Sequence, residues 1–189
     1  MEEPKSRRVI SILVDNHSGV LARVSSLFCR RDFNIEGMTA SATNDPTVSR
    51  ITITTYGTAS NLKQLLLQTN RLEVTHQIFA LESSNCLQRE LLLLKIGLTP
   101  QLRRELIEIC DVYNSKIIDL TPTSMVTELT GEPDKIDAFL AMFQEYDIIE
   151  MCRTGVTAIE RGGRHHHTQK PPEEIREEHL FDSYLGLTD

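Results

Sequence analysis

The chain has 189 residues, with 27 acidic against 20 basic side chains and a formal net charge of −7. This acidic balance, with no stripe of lysine and arginine, argues against a nucleic-acid partner and against an anionic membrane surface. Hydrophobic residues make up 40% and charged residues 25% of the chain, which is typical of one medium-sized globular domain or two small ones.

Targeting and redox signals are sparse in the sequence. The densest apolar run, Leu91 to Leu94, is far shorter than the roughly 20 residues of a membrane span. Residues 1–8 contain no apolar stretch, so no secretory signal is expected and the expected location is the cytoplasm, or the plastid stroma in a photosynthetic eukaryote. The cysteines form no Cys-x-x-Cys pair and are predicted to be reduced and mostly buried: Cys29, Cys86, Cys110 and Cys152.

The first half of the chain predicts the order β-α-β-β-α-β. Helices are predicted where apolar residues recur every three or four positions, and strands where short β-branched or apolar runs lie between turn signals. The elements are, in order, a strand at 9–14, a helix carrying Val20, Leu21, Val24, Leu27 and Phe28, a hairpin of strands at 34–39 and 49–56, a helix opening at Gly57, and a strand near 74–80.

The second half repeats this order. Its elements are a strand at 89–97, a helix carrying Leu102, Leu106, Ile109 and Cys110, a hairpin of strands at 116–121 and 125–130, a helix opening at Pro133, and a strand near 148–151. Ile35 corresponds to Ile117 at an offset of 82, and Gly57 to Gly131 at an offset of 74. The difference of eight residues is one shorter hairpin loop.

The predicted fold class is therefore α+β, with two tandem ferredoxin-like βαββαβ units, each an antiparallel sheet with its helices on one face. The predicted domains span 8–82 and 88–160, joined by the polar linker Glu82–Gln88. Residues 161–189 are predicted to be a mobile polar and acidic tail, in which an amphipathic helix near 175–185 could dock on a partner. The triplet His165–His167 could chelate a metal weakly, or belong to a solvated tail without function.

The sequence contains no common catalytic motif: no phosphate-binding loop, dinucleotide fingerprint, His-Glu-x-x-His or Gly-x-Ser-x-Gly. A phosphate-cradling or metal-carrying ferredoxin-like protein would place an arginine or paired cysteines in the loop Asp15–Gly19, which has neither. RNA binding would require aromatic residues on the central strands, and only Tyr56 ends one. No catalytic residue and no resident cofactor or metal is assigned, although a small enzyme without a known motif stays an alternative.

The loop Asp15–Gly19 is the candidate binding site. Asn16 and Ser18 are predicted to cap the following helix, and Gly19 allows the backbone to approach a ligand closely. Exposed N–H groups at the helix start favour a carboxylate, so an amino acid would suit this loop. The same residues also fit an ordinary strand-to-helix turn with its cap, and the residues alone leave both interpretations open.

Three segments of the first half form a recognisable set: Leu13 to Val24, Phe33-Asn-Ile-Glu36 and Asp45-Pro-Thr-Val-Ser-Arg50. Together they resemble the ACT domain of the small, regulatory subunits of acetolactate synthase (acetohydroxyacid synthase). The second half is similar to the same family through Lys116-Ile-Ile-Asp-Leu-Thr121, Lys135-Ile-Asp-Ala-Phe139 and Arg153-Thr-Gly-Val156. The resemblance covers about residues 7–162. It implies a homodimeric protein with no active site of its own that binds a large catalytic subunit.

That catalytic subunit uses thiamine diphosphate, magnesium and FAD, and the resemblance implies that this chain activates it and confers feedback inhibition by valine, leucine or isoleucine. Family effectors bind between the ACT domains of two chains. The implied effector-binding residues are Asn16, His17, Ser18, Gly19, Val20 and Leu21 of one chain with Asn34 and Ile35 of the other. Asn16 and the Gly19–Val20 amides would hold the amino acid's carboxylate and amino groups. The chain departs from the usual pattern in its tail and at His17 and Ser18. An ACT module that regulates a different enzyme is the alternative.

Overall fold

A computed structural model describes residues 5–30 and 33–163 of the chain. The fold divides into two compact units. Among the described residues, unit 1 comprises 5–30, 33–87 and 158–163, and unit 2 comprises Gln88–Thr157. Within the described residues, no helix has both the length and the apolar character that a membrane crossing requires.

Unit 1 is built on a four-stranded sheet with the order β2-β3-β1-β4, in which all neighbouring strands are antiparallel. Its elements are β1 (Ser6–Asp15), α1 (Val20–Cys29), β2 (Ile35–Ala42), β3 (Val48–Gly57), α2 (Ala59–Asn70) and β4 (Thr75–Leu81). The predicted βαββαβ order is confirmed, and each of these elements was anticipated by the sequence pattern.

Both helices of unit 1 pack on one face of this sheet. Alternate residues of β1 and β3 face them because successive side chains of a strand point to opposite sides. The resulting core contains Ile10, Ile12 and Val14 of β1, Ile51 and Ile53 of β3, Val20, Val24 and Phe28 of α1, and Leu62, Leu65 and Leu66 of α2. The predicted apolar face of α1 is confirmed for Val20, Val24 and Phe28, whereas Leu21, expected on the same face, is 47% exposed.

Unit 2 repeats the arrangement with the strand order β6-β7-β5-β8. Its elements are β5 (Cys86–Gly97), α3 (Arg103–Tyr113), β6 (Lys116–Leu120), β7 (Ser124–Gly131), α4 (Pro133–Ala141) and β8 (Ile148–Arg153), and a short strand β9 (Thr157–Glu160) pairs with β5. Leu92, Leu94 and Ile96 alternate into the core beneath α3 and α4, where Phe139 and Phe143 are also fully buried.

A buried carboxylate lies on β5, an interior strand of unit 2. The Glu90 side chain is 1% exposed and contacts the guanidinium of Arg153, which also donates to Asp137 Oδ1 at 2.6 Å. Burial alone would lower the pKa of Arg153, but its hydrogen bonds to Glu90 and Asp137 and the negative charges of these two carboxylates together raise that pKa. The ion pair therefore offsets the cost of burying the Glu90 charge.

Three expectations require correction. The segment Glu82–Gln88, interpreted as a polar linker, contains a short 3-10 turn at Ser83–Asn85 and the first residues of β5, with Cys86 buried. Strand β9 was not anticipated. Only two of the four cysteines are buried, because Cys29 ends α1 and Cys152 lies on β8, where both are exposed. The tail from residue 164 onward, with His165–His167, lies outside the described residues.

Candidate functional site

The β1–α1 loop, Asn16–Gly19, ends in a glycine with a left-handed backbone. Gly19 has φ 87° and is the N-cap of α1, and no side chain accepts a capping hydrogen bond there. The prediction that Asn16 and Ser18 cap the helix is therefore wrong. Because glycine adopts positive φ without strain, Gly19 turns the chain directly into the helix and leaves the helix start uncovered by a side chain.

The first turn of α1 leaves three backbone amides outside the helical hydrogen bonds. The first helical hydrogen bond is donated by Arg23 to the Gly19 carbonyl at 3.1 Å, so the amides of Val20, Leu21 and Ala22 precede the helical ladder. These N–H groups and the positive end of the helix dipole favour an anion such as a carboxylate. A Cβ built on Gly19 meets no atom within 4 Å, so the space beside the loop is open.

Val20 and Leu21 differ in exposure. Val20 is 3% exposed and belongs to the core of unit 1. Leu21 is 47% exposed, so its side chain can contact a second molecule. Of the two predicted site residues, Leu21 alone can contribute an apolar surface.

Asn16 is fastened to the turn between β2 and β3. Its Nδ2 donates to the Pro46 carbonyl and its Oδ1 accepts from the Ser49 hydroxyl, both at 2.9 Å. Its backbone N–H donates to the Thr47 carbonyl at 2.7 Å. Asn16 is itself exposed, so the side chain is fixed while it remains accessible to a ligand.

The Asp45 carboxylate fixes the β2–β3 turn. Asp45 Oδ1 accepts hydrogen bonds from the Thr47 hydroxyl at 2.6 Å and from the Thr47 backbone N–H at 2.9 Å. These hydrogen bonds from Thr47 lower the pKa of Asp45, and the charge of His76 contributes in the same direction to a smaller extent. The β2–β3 turn is therefore held by its own side chains as well as by the strands.

His17 and Ser18 lie in the exposed part of the loop. The Nδ1 of His17 is 2.9 Å from the Ser18 carbonyl, and its Nε2 is 3.9 Å from Asp15 Oδ2. The two residues thus contact each other and the end of β1, while their exposed surfaces face solvent. Across the part of the chain that the structure describes, no cluster of three or more His, Cys, Asp or Glu residues could hold a metal ion.

Asn34 and Ile35 lie at the opposite end of the sheet from the loop. The Asn34 carbonyl accepts from the Thr55 hydroxyl at 2.7 Å, and Ile35 pairs with Thr55 in the β2–β3 ladder. Ser49, which contacts Asn16, precedes Thr55 by six residues on β3, a separation of about 20 Å along a strand. The predicted site residues therefore form two separate groups within one chain.

Sequence reasoning missed Pro46 and Ser49 as neighbours of the site. The signal that could have found them is topological: in a sheet of order β2-β3-β1-β4, the start of β3 lies beside the end of β1. Val48 pairs with Asp15 and Ser49 with Val14, which places the β2–β3 turn against the β1–α1 loop.

Comparison with known proteins gives the family. A family model described as an "AHAS small subunit-like ACT domain" matches residues 10–77, and one described as "Small subunit of acetolactate synthase" matches residues 89–162. The acetolactate synthase small subunit of Haemophilus influenzae is 38% identical over 157 residues, which cover 82% of this chain and 96% of the relative. The chain belongs to the acetolactate synthase small subunit family.

Two further similarities extend along most of the chain. The isozyme 3 small subunit of Escherichia coli acetolactate synthase is 37% identical over 84% of this chain and 98% of its own length. The crystal structure of the acetolactate synthase small subunit from Thermotoga maritima superimposes with a TM-score of 0.77 at 28% identity, covering 84% of this chain and 99% of that one. The family resemblance inferred from the sequence motifs is confirmed.

Proposed function

We propose that this chain is the regulatory subunit of an acetolactate synthase. It carries no active site of its own and activates a large catalytic subunit, which holds thiamine diphosphate, magnesium and FAD and condenses pyruvate with pyruvate or 2-oxobutyrate. Membership of the small subunit family supports this role, since the relatives bear the name of that enzyme's small subunit. The product leads to valine, leucine and isoleucine.

The chain also confers feedback inhibition by valine, or by leucine or isoleucine, bound between the ACT domains of two copies. The observation that carries this proposal is the separation of the two groups of site residues, Asn16–Leu21 and Asn34–Ile35, along β3 of one chain. A twofold-related second copy can bring its own Asn34 end against the loop of the first and so complete two identical sites. A ligand bound there stabilises one arrangement of the pair, and this differential binding is what couples the effector to activity.

Each group in the site has a role toward the amino acid. The Gly19 and Val20 amides and the unused side of the Asn16 carboxamide hold the carboxylate and ammonium groups. Exposed Leu21 lies on the side of the branched side chain. One methylene in an apolar pocket is worth only about 1–3 kcal/mol, so valine, leucine and isoleucine are separated by modest factors.

Two experiments test the proposal. Thermal unfolding of the full chain against a panel of amino acids should give the largest stabilisation with valine, followed by leucine or isoleucine, because only a ligand of the native state raises the melting temperature. Mixing the chain with the thiamine-diphosphate catalytic subunit of the same organism should raise acetolactate formation and make it sensitive to valine. An unchanged rate together with no association in gel filtration would refute the regulatory assignment.

A further inference from the structure

The Asn16 carboxamide has a defined capacity for hydrogen bonding. A carboxamide offers two N–H hydrogens and two oxygen lone pairs. The β2–β3 turn takes one of each, through the Pro46 carbonyl and the Ser49 hydroxyl. One N–H and one lone pair remain, which are the complement of a carboxylate oxygen and an ammonium hydrogen on the same amino acid.

Ser49 is placed to hold the oxygen end of this group. It is the second residue of β3 and lies on the same face of the strand as Ile51 and Ile53, which pack beneath the helices. From this half-buried position its hydroxyl reaches the loop that begins α1, 33 residues earlier in the chain. The contact therefore joins the sheet directly to the loop.

The β2–β3 turn, which holds the Asn16 carboxamide, is itself fixed by side-chain hydrogen bonds. Asp45 ties the turn through Thr47, and the Thr43 hydroxyl lies 3.0 Å from both the Asp45 and Val48 carbonyls. Since the Pro46 carbonyl can only accept, it fixes which end of the carboxamide faces the turn. The Ser49 hydroxyl then prevents the oxygen end from rotating away.

We propose that Ser49 is a positioning residue of the effector site, which holds the Asn16 carboxamide in the orientation that an amino acid ligand needs before it binds. This inference rests on the proposed function. Without the Ser49 hydroxyl, the carboxamide samples further rotamers in the free protein, and ordering it on binding weakens affinity. Because Asn16 faces the groups that all amino acids share, the loss applies equally to valine, leucine and isoleucine.

The test is calorimetric titration of valine, leucine and isoleucine into the full chain and three variants. Ser49→Ala is expected to weaken all three affinities by a similar factor of about 3- to 10-fold, the size of one neutral hydrogen bond. Ser49→Thr keeps the hydroxyl on a strand-favouring residue and is expected to stay within about twofold of the unsubstituted chain. Ser83→Ala, an exposed serine in the turn before β5, is the matched control.

The outcomes separate this inference from the function on which it rests. If Ser49→Ala binds the amino acids as tightly as the unsubstituted chain, the positioning role alone is wrong. The same holds if Ser49→Ala loses affinity and Ser49→Thr fails to restore it. A loss confined to one of the three amino acids also overturns it, because a contact to the shared groups cannot discriminate side chains. If the unsubstituted chain binds none of the three amino acids, both the proposed effector function and this inference are wrong.

Discussion

The Asp15 carboxylate, through Oδ1, lies 2.6 Å from Nε2 of His76. This contact joins the end of β1 to the start of β4, immediately before the β1–α1 loop. The imidazole is largely buried, at 16% exposure, while the carboxylate is 39% exposed. The base of the loop is therefore clamped on one side by β4 and on the other by the β2–β3 turn.

Loss of this imidazole should destabilise unit 1. His76→Ala removes a hydrogen bond to a charged and partly exposed group, so we expect the free energy of unfolding to fall by about 1 kcal/mol. His76→Gln can still donate to Asp15 and should lose less. Urea denaturation at pH 7 measures both values. Equal stabilities for all three proteins would mean that the contact contributes nothing.

Substitution of Gly19 should remove the effector response. Gly19→Asp places a negative charge beside the proposed carboxylate position, whereas Gly19→Asn has almost the same shape without the charge. Asp and Asn both tolerate positive φ better than other side chains, so we expect a stability loss of only about 1 kcal/mol in each variant. Valine should no longer raise the melting temperature of Gly19→Asp, and Gly19→Asn should respond more strongly. An intact valine response in Gly19→Asp would place the site elsewhere.

Mixed dimers test whether two chains share one site. Asn16→Ala and Asn34→Ala homodimers should each bind valine poorly, because every site lacks one group. After unfolding and refolding together in equal amounts, heterodimers contain one doubly defective and one intact site, so about a quarter of all sites should recover. Titration of the mixture with valine counts them. Recovery of no sites would indicate that both residues act within one chain.

Acid should weaken the hydrogen bonds by which Asp45 stabilises the β2–β3 turn. The folded-state pKa of Asp45 lies below its ordinary value of 3.8 because Thr47 donates to the carboxylate. Asp45 therefore stabilises the fold fully above about pH 4, and this contribution disappears as the pH falls through the folded-state pKa. The stability difference between the unsubstituted chain and Asp45→Asn should accordingly be constant near neutral pH and shrink below pH 4. The exposed Asp119, changed to Asn, is the matched control.

The buried Glu90 charge makes Arg153 costly to remove. Arg153→Met removes the guanidinium that contacts this buried carboxylate, and we expect a loss of about 3 kcal/mol in the free energy of unfolding. The double variant Glu90→Leu with Arg153→Met removes both charges and should recover much of that loss. Urea denaturation of the two variants gives the comparison. A double variant less stable than Arg153→Met would show that the side chains stabilise unit 2 independently of each other.

The periodic elements could be predicted from the sequence because each has a one-sided apolar pattern. Val20, Val24 and Phe28 recur at helical spacing, and all three are buried. Strand β9 was missed because four residues are too few to establish a period. The capping prediction failed since Asn and Ser favour N-caps in general, while here Gly19 occupies that position.

The site could be predicted only in part, because its contacts join residues that are distant in the chain. The β1–α1 loop is marked by its own residues. The contact between Asn16 and Ser49 depends on strand order, and so does the distance of Asn34 from the loop. A local sequence pattern predicts neither the Asn16–Ser49 contact nor the distance of Asn34 from the loop, although the predicted hairpin limits the possible strand orders.

Unit 1 is interrupted rather than followed by unit 2. The chain leaves unit 1 after Leu87 and re-enters it at Ala158, where the Ala158 carbonyl accepts from Arg50 at 3.3 Å and the Arg161 amide donates to Asn85 at 2.9 Å. A stop codon after Leu87 would therefore remove residues of unit 1 that contact Arg50 and Asn85. An isolated unit 1 is better made by excising residues 88–157 and joining Leu87 to Ala158 through a short flexible linker. Under the proposed function, loss of valine binding after simple truncation would report damage to unit 1 and not a role of unit 2.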